Sequence, residues 1–257
     1  MRIVCLLENT SCDERLGAEH GLSLYIETTH RRLLFDMGQS SLFADNAAKL
    51  SVSLSQADTA IVSHGHYDHG GGLDTFLSVN NTAPVYIHRY AFEPHMHGEK
   101  YIGLDTALQK HPRLKFTDGC VPLGDGLTLY ADALTVGGND FDSGGLSVMR
   151  NNQCIPDDFR HEQYLLIEEN GKRVLISGCS HRGILALTSR FHPNIVIGGF
   201  HISKLDPALA VTRYAAALNA FSTDFYTCHC TGVAQYEALA DVVPRLHYLS
   251  GGQVLTL

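Results

Sequence analysis

The stretch Ser63-His64-Gly65-His66-Tyr67-Asp68-His69-Gly70-Gly71-Gly72-Leu73 constrains this chain more than any other. It follows Thr59-Ala60-Ile61-Val62, a short apolar run rich in β-branched residues. Three imidazoles and a carboxylate therefore stand where a buried strand ends and a Gly-rich turn begins. Residues two apart in extended or turn backbone tend to point the same way. His64 and His66 are thus expected to grip one cation while Asp68 and His69 reach a neighbouring one. The spacing predicts a dinuclear centre.

The rest of the chain repeats the arrangement of strand, polar turn and helix. Arg2 to Leu7 reads as a strand, and Leu22 to Glu27 with Arg32 to Phe35 as a hairpin around Thr29-His30-Arg31. Asp36, next, is either a carboxylate that orients the metal loop or an ordinary turn residue. Ser40 or Ser41 caps a helix through Leu50, Leu73 to Val79 reads as a short helix, and Pro84 to His88 as a strand. Gln163 to Glu168 and Arg173 to Ser177 are joined through Asn170-Gly171, a two-residue hairpin signal, and the second strand runs into Gly178-Cys179-Ser180-His181. Asn194 to Ile197 leads to His201, and Asp206 caps a helix opened by Pro207. Asp224 to Thr227 ends in Cys228-His229-Cys230; a helix through Val243 and a strand at Leu246 to Leu249 close the chain. Four apolar strands thus end in histidine-bearing, Gly-flanked turns. In sheets wrapped by helices the carboxyl ends of strands converge on one crevice, where ligands bind.

Bulk properties bound the reading. A chain of 257 residues, 44% hydrophobic and 18% charged, is expected to form one domain over 1–257, with a less regular, lid-like region at about 89–158 that supplies edge strands. For His88, His95, His97 and His111 a metal role is one reading, but without strand-end context the favoured one is exposed or helix-flanking histidine; Gly137-Gly138-Asn139 and Gly144-Gly145 read as loop. A formal charge of -8 leaves no basic patch for phosphates, so neither nucleic acid nor an anionic membrane is expected as a partner. No apolar run approaches a bilayer span and none of signal length follows Met1. Seven cysteines at irregular positions fit free thiols in a reducing compartment, so a cytoplasmic protein is expected. Its partner would be a small-molecule substrate; a homodimer is admitted but not required.

The pattern His-x-His-x-Asp-His followed by Gly-Gly-Leu resembles the signature of the metallo-β-lactamase superfamily. Glu19-His20-Gly21-Leu22-Ser23, Leu34 to Ser40, Ser63 to Leu73, Gly178 to Gly183, Gly198 to His201 and His229-Cys230-Thr231-Gly232 together resemble one family within it. These are metal-dependent hydrolases related to an archaeal dihydropterin-aminobenzene ribofuranosyl phosphate synthase, and the resemblance runs from Glu8 to about Gly232. It implies an α/β fold, the αβ/βα sandwich of two mixed sheets covered by helices. It also implies one or two bound metals, usually zinc with iron or manganese as alternatives, and places Glu19 and His20 at the pocket mouth as substrate-binding residues.

A hydrolytic metal needs three protein ligands and an open position for water. His64 and His66 want a third partner. Where the superfamily carries a strand-Thr-Gly-Asp turn with a bridging carboxylate, this chain has Ser177-Gly178-Cys179. Either Cys179 or His181 is expected to take that place, with His181 preferred because a neutral imidazole needs no proton release. His229 is expected to complete the second site with Asp68 and His69. By strand alternation Cys228 and Cys230 should point away from His229 and serve as core thiols. His201 is left for substrate contact or proton transfer, and His161, which precedes its strand, is a reserve ligand.

The expected chemistry is metal-assisted hydrolysis of a small ester, lactone, thioester or phosphoester. A metal-bound hydroxide attacks the carbonyl or phosphoryl centre, and Asp68 or His201 manages the leaving-group proton. One alternative is a pterin-arylamine joining transferase, with Tyr67, Phe92, Tyr101 and Phe200 available as aromatic lining; another is a non-catalytic metal- or metabolite-binding protein. A di-iron redox centre is disfavoured, because such relatives carry Glu where this chain has His66 and need a flavin module.

Overall fold

Each strand near the site is two-faced because its apolar residues alternate. In Arg2–Leu7, Ile3 and Cys5 enter one core while Val4 and Leu6 enter another. A computed structural model describes residues 1–131 and 143–257, so Gly137-Gly138-Asn139 lies outside the described residues. One seven-stranded sheet runs Val254–Thr256, Arg2–Leu7, Ser23–Glu27, Arg32–Phe35, Thr59–Val62, Val85–His88, Leu114–Thr117. The other runs Leu246–Tyr248, Asp224–Thr227, Ile195–Gly198, Lys172–Ile176, Tyr164–Glu169, Leu127–Ala131, Gly119–Gly124. Both sheets are mixed, with an antiparallel half and a parallel half.

Apolar side chains fill three layers. Between the sheets lie Ile3, Ile26, Phe35, Ile61, Leu165, Ile176 and Ile197. Outside the first sheet, Phe43 of helix Leu42–Lys49 and Phe76 of helix Leu73–Val79 pack on Leu34, Ala60 and Val62. Outside the second, helices Ile184–Phe191, Pro207–Asn219 and Val233–Ala240 pack on Leu175, Val196 and Phe225. The order helix, sheet, sheet, helix is the expected αβ/βα sandwich. Each fully buried Phe or Leu contributes roughly 1.5–3 kcal/mol relative to exposure, which is what holds the layers together.

The parallel halves position the site. In the second sheet Ile176 pairs with Ile197 and Ile197 with Tyr226, so three strands finish side by side at one edge. Thr59–Val62 finishes at the facing edge of the first sheet. Gln163 joins the two: its amide donates to the Val62 and Tyr86 carbonyls, and its backbone N–H donates to the Ser63 carbonyl at 2.8 Å.

Several elements differ from expectation. The helix expected through Val243 ends at Ala240, and a short exposed strand, Val254–Thr256, returns to pair with Arg2–Leu7 beyond the strand thought to close the chain. Three residues of edge strand give too short an alternation to read. The stretch 89–158 supplies, among the described residues, the outer strands of both sheets and a third, four-stranded sheet ordered Gln153–Pro156, Leu146–Arg150, His95–His97, Lys100–Tyr101. That third sheet carries His95 inward.

Candidate metal centre

The turn after Thr59–Val62 is fixed from outside by Asp36. Its carboxylate accepts from the Ser63 backbone N–H at 2.7 Å and from the Ser63 hydroxyl at 2.8 Å, and lies 2.7 Å from His69 Nδ1. Asp36 adopts φ +60, a left-handed conformation that Asp tolerates better than most residues. It is therefore the residue that orients the loop. The Ser63 hydroxyl, having given its proton to Asp36, accepts from His64 Nδ1 at 2.8 Å.

These outer bonds decide which ring nitrogen of each histidine carries the proton. His64 and His69 both hold a proton on Nδ1, and His229 likewise donates from Nδ1 to Asn9 Oδ1 at 2.8 Å. Their Nε2 lone pairs all turn inward. His69 Nε2 is 3.2 Å from both Cys179 Sγ and His229 Nε2, and His64 Nε2 is 3.4 Å from His181 Nε2. Asp68 Oδ2 is 3.3 Å from His229 Nε2 and 3.0 Å from His20 Nε2. Lone pairs facing one another across 3.2–3.4 Å repel unless a proton or a cation lies between them.

The donor set fits a cation. One donor atom from each of His64, Cys179 and His181 lies within 4.8 Å of the others, and the same holds for His69, Cys179 and His229 and for His20, Asp68 and His229. Among the described residues His66 Nε2, His181 Nδ1 and His201 Nδ1 are buried without a partner. Burial, reinforced by neighbouring imidazoles, holds His64 and His181 well below the ordinary imidazole range; burial does the same for His66. All three are thus neutral and ready to ligate. At His69 burial works the same way, but Asp36 and Asp68 outweigh it and raise the pKa to about 9: without a cation, a proton takes its place. Asp68 resists burial through His69, His20 and His229, and its carboxyl stays well below the usual range.

The second sheet delivers its residues by strained backbone. Ser180, His201 and His229 have φ of +53, +53 and +51, and non-glycine residues in this region cost free energy that surrounding bonds must offset. Glu8, fully buried, accepts the His229 backbone N–H at 2.6 Å and the Tyr248 hydroxyl at 2.9 Å. Glu162, also buried, accepts the His181 backbone N–H at 2.9 Å. Gly178 lets the two sheet edges meet, since a Cβ there would collide with the Ser63 hydroxyl.

The structure brings His64, His66, Asp68, His69, Cys179, His181, His201 and His229 to one place. Cys179 and His181 are not rivals. Cys179 Sγ lies 3.2 Å from His69 Nε2 and belongs to the donor groups of both His64 with His181 and His69 with His229, while His181 Nε2 lies 3.4 Å from His64 Nε2, so the turn through Ser180, at positive φ, presents both side chains at once. Cys230 is buried as expected of a core thiol, but its Sγ also accepts from the His201 backbone N–H at 3.2 Å and lies with Cys179 and His201 in one donor group. Strand alternation fails there because the strand stops at Thr227 and His229–Thr231 is a 3-10 turn. Cys228 does enter the core. His20 sits at the exposed rim beside Asp68, but Glu19 braces a loop, both its oxygens taken by the Ser40 hydroxyl at 2.8 and 2.9 Å.

His95 was missed. It is fully buried with Nδ1 2.8 Å from Asp157 Oδ2, and with His66, Asp157 and His161 forms a further donor group. His161 accepts the Gly65 N–H at Nδ1, 2.8 Å, and burial brings it down to about 4. Of the other three, His88 is buried against the Ala131 carbonyl at 2.9 Å, His97 is exposed and His111 half-buried. Glu8 and Asn9 carry no role in the sequence reading; a carboxylate directly after an apolar strand was the available signal.

An αβ/βα sandwich whose facing sheet edges gather histidines, an aspartate and a cysteine defines a class, and the chain belongs to the metallo-β-lactamase superfamily, whose model matches residues 16–142. Its particular relatives are narrower. It is 28% identical over 252 residues to an uncharacterised protein of Methanocaldococcus jannaschii, covering 93% of this chain and 94% of that one. It is 27% identical over 246 residues to the 7,8-dihydropterin-6-methyl-4-(beta-D-ribofuranosyl)-aminobenzene-5'-phosphate synthase of the same organism, covering 84% and 82%. The crystal structure of a metal-dependent hydrolase of the beta-lactamase superfamily superposes with a TM-score of 0.86 at 28% identity, covering 100% of this chain and 99% of that one.

Proposed function

We propose that the chain is a metal-dependent hydrolase, acting in the cytoplasm on a small ester, lactone, thioester or phosphoester at a paired metal centre. His64, His66 and His181 would hold one cation, and Asp68, His69, Cys179 and His229 the other, with zinc the first candidate and iron or manganese the alternatives. When bound, such cations lower the pKa of a coordinated water toward ~7 and stabilise negative charge developing on the substrate. The observation that carries the reading is the convergence of Nε2 lone pairs from His64, His69 and His229, each fixed by a bond at Nδ1.

The chain's own residues do the rest. His20, at the rim, donates to Asp68 and limits which substrates pass. His201 is the proton donor for the leaving group: although burial opposes it, its contact with Cys230 raises its proton affinity, which suits a general acid. Asp36, Asn9, Glu8 and Glu162 keep the rings aimed so that little reorganisation is needed.

The test is elemental analysis of the purified protein with a panel of lactone, thioester and phosphodiester substrates. Two zinc equivalents in the thiol-bearing centre with turnover are expected, and Asp68→Ala should lose one equivalent and nearly all activity with the fold intact. Full metal content in Asp68→Ala, or no hydrolysis of any class, would refute the reading. His181→Ala and Cys179→Ser should each lose metal, only the second abolishing a cobalt-thiolate absorption band. A second reading, a pterin-arylamine joining transferase, is favoured by the 27% identity to the synthase over most of both chains. Product formation from a pterin and an arylamine without hydrolysis would select it.

A further inference from the structure

Cys5, Cys179, Cys228 and Cys230 are buried thiols, and two of them serve packing: Cys5 and Cys228 enter the core between the sheets. Cys179 and Cys230, 3% and 6% exposed, meet instead at the edge that carries the metal centre. Their sulfurs and a ring nitrogen of His201 all lie within 4.8 Å of one another. Strand pairing alone does not bring them together, because Ile195–Gly198 runs between the two strands that lead to them. Gly199, just past that middle strand, leaves the way open: a Cβ there would collide with Cys230 Sγ. The Cys230 thiol reaches over it and donates to the Cys179 carbonyl at 3.5 Å, while its sulfur accepts the His201 backbone N–H at 3.2 Å.

The two thiols have different commitments. Cys179 Sγ belongs both to the donor group of His64 with His181 and to that of His69 with His229. Among the described residues Cys230 belongs to neither group. A sulfur on which both halves of the centre draw therefore lies beside one that neither half uses.

We propose that Cys179 and Cys230 are a redox-active pair, which a hydroperoxide converts to a disulfide that withdraws the shared sulfur from the metal centre. The effect on metal rests on the paired-centre reading above; the bond itself does not. With hydrogen peroxide, the Cys230 sulfur attacks one peroxide oxygen, giving a sulfenic acid and one water. The Cys179 sulfur then displaces the hydroxyl from Cys230 as a second water, so the two sulfurs give up two electrons and both thiol protons leave in the waters. Closing the gap to the ~2 Å of a disulfide moves two side chains that already lie together. Each half of the centre then keeps only the two imidazoles of its group, and a dithiol reductant restores the third donor. Disulfides in reducing compartments are commonly of this transient kind.

The test uses the full chain, reduced, in metal-free and cobalt(II)-loaded forms, with one equivalent of hydrogen peroxide. Peptide mapping of the oxidised metal-free chain should find Cys179 joined to Cys230, and dithiothreitol should part them. In the loaded chain peroxide should abolish the cobalt-thiolate band, and dithiothreitol with added cobalt should return it. Cys230→Ser should show no loss of band that dithiothreitol reverses; Cys230→Ala is read in its place if the serine variant does not fold. Disulfides that map only to other cysteines, oxidation of the pair that dithiothreitol leaves unchanged, or a reversible loss of band in Cys230→Ser each overturn the proposal. A reduced wild type with no thiolate band sinks Cys179 as a ligand in the previous section, while a mapped and reversible bond from Cys179 to Cys230 still upholds the pair.

Discussion

The two sheets bring their histidines to the same place by opposite routes. In the first, one uninterrupted turn supplies His64, His66, Asp68 and His69, and a single carboxylate, Asp36, steadies it through three contacts. In the second, Cys179 with His181, His201 and His229 come from three separate strand ends. Each of these turns includes a non-glycine residue at positive φ, and two are held by a buried glutamate from elsewhere. The first route concentrates information in sequence; the second spreads it over the register of a parallel sheet. Damage to the first should therefore act on ligands directly, and damage to the second through backbone.

The largest effect should follow loss of an inward nitrogen from the turn. His69→Ala is expected to cut turnover and metal affinity by more than the ~10–100-fold typical of outer partners, with little change in melting temperature. Metal uptake by the wild type should also release a proton below about pH 9, where His69 of the metal-free chain is protonated, and calorimetry in buffers of different ionisation enthalpy would detect it. Uptake with no proton released at pH 7 would contradict the role given to His69.

An intermediate effect belongs to the second sheet. Glu8→Ala strands the His229 N–H and the Tyr248 hydroxyl, so it should cost ~1–3 kcal/mol of stability besides weakening metal binding. If Glu8→Ala weakened metal binding without lowering stability, the contrast between the two routes would fail. Gly178→Ala tests the meeting of the two. Its Cβ must displace Ser63 or the backbone, at ~1–3 kcal/mol, and each kcal/mol lowers the melting temperature of a chain this long by ~2–4 °C.

The smallest effect should lie outside both. Burial pulls the Glu93 carboxyl up, but bonds from Arg160 and Arg150 outweigh it and leave its pKa lowered. Its contribution is then present above the unfolded value near 4.5 and lost as pH falls through the folded one. Glu93→Gln should thus remove under ~1 kcal/mol at pH 7 and flatten the acid limb of the stability curve, leaving metal content unchanged.

What was legible follows from this contrast. Sequence spacing carried the turn at 63–73, the Asn170-Gly171 hairpin, with φ of +51 and +75, and the helix capped by Asp206, since each is a local device. Strand ends at His181, His201 and His229 were legible because an apolar run and a glycine flank each one. Illegible were contacts that depend on pairing between distant segments: Asp157 with His95, 62 residues apart, and Glu8 with His229, 221 apart. Alternation also misled where a strand had already stopped, as at Cys230.

The bond between Glu8 and His229 also orders events in time. During synthesis the His64–His69 turn leaves the ribosome long before residue 229, and until then Glu8 has no amide to receive and the far side of the cage does not exist. A nascent chain could offer a cation only part of this donor set until residue 229 has emerged. Any tight loading would therefore wait until both sheets have met, rather than begin on the first turn.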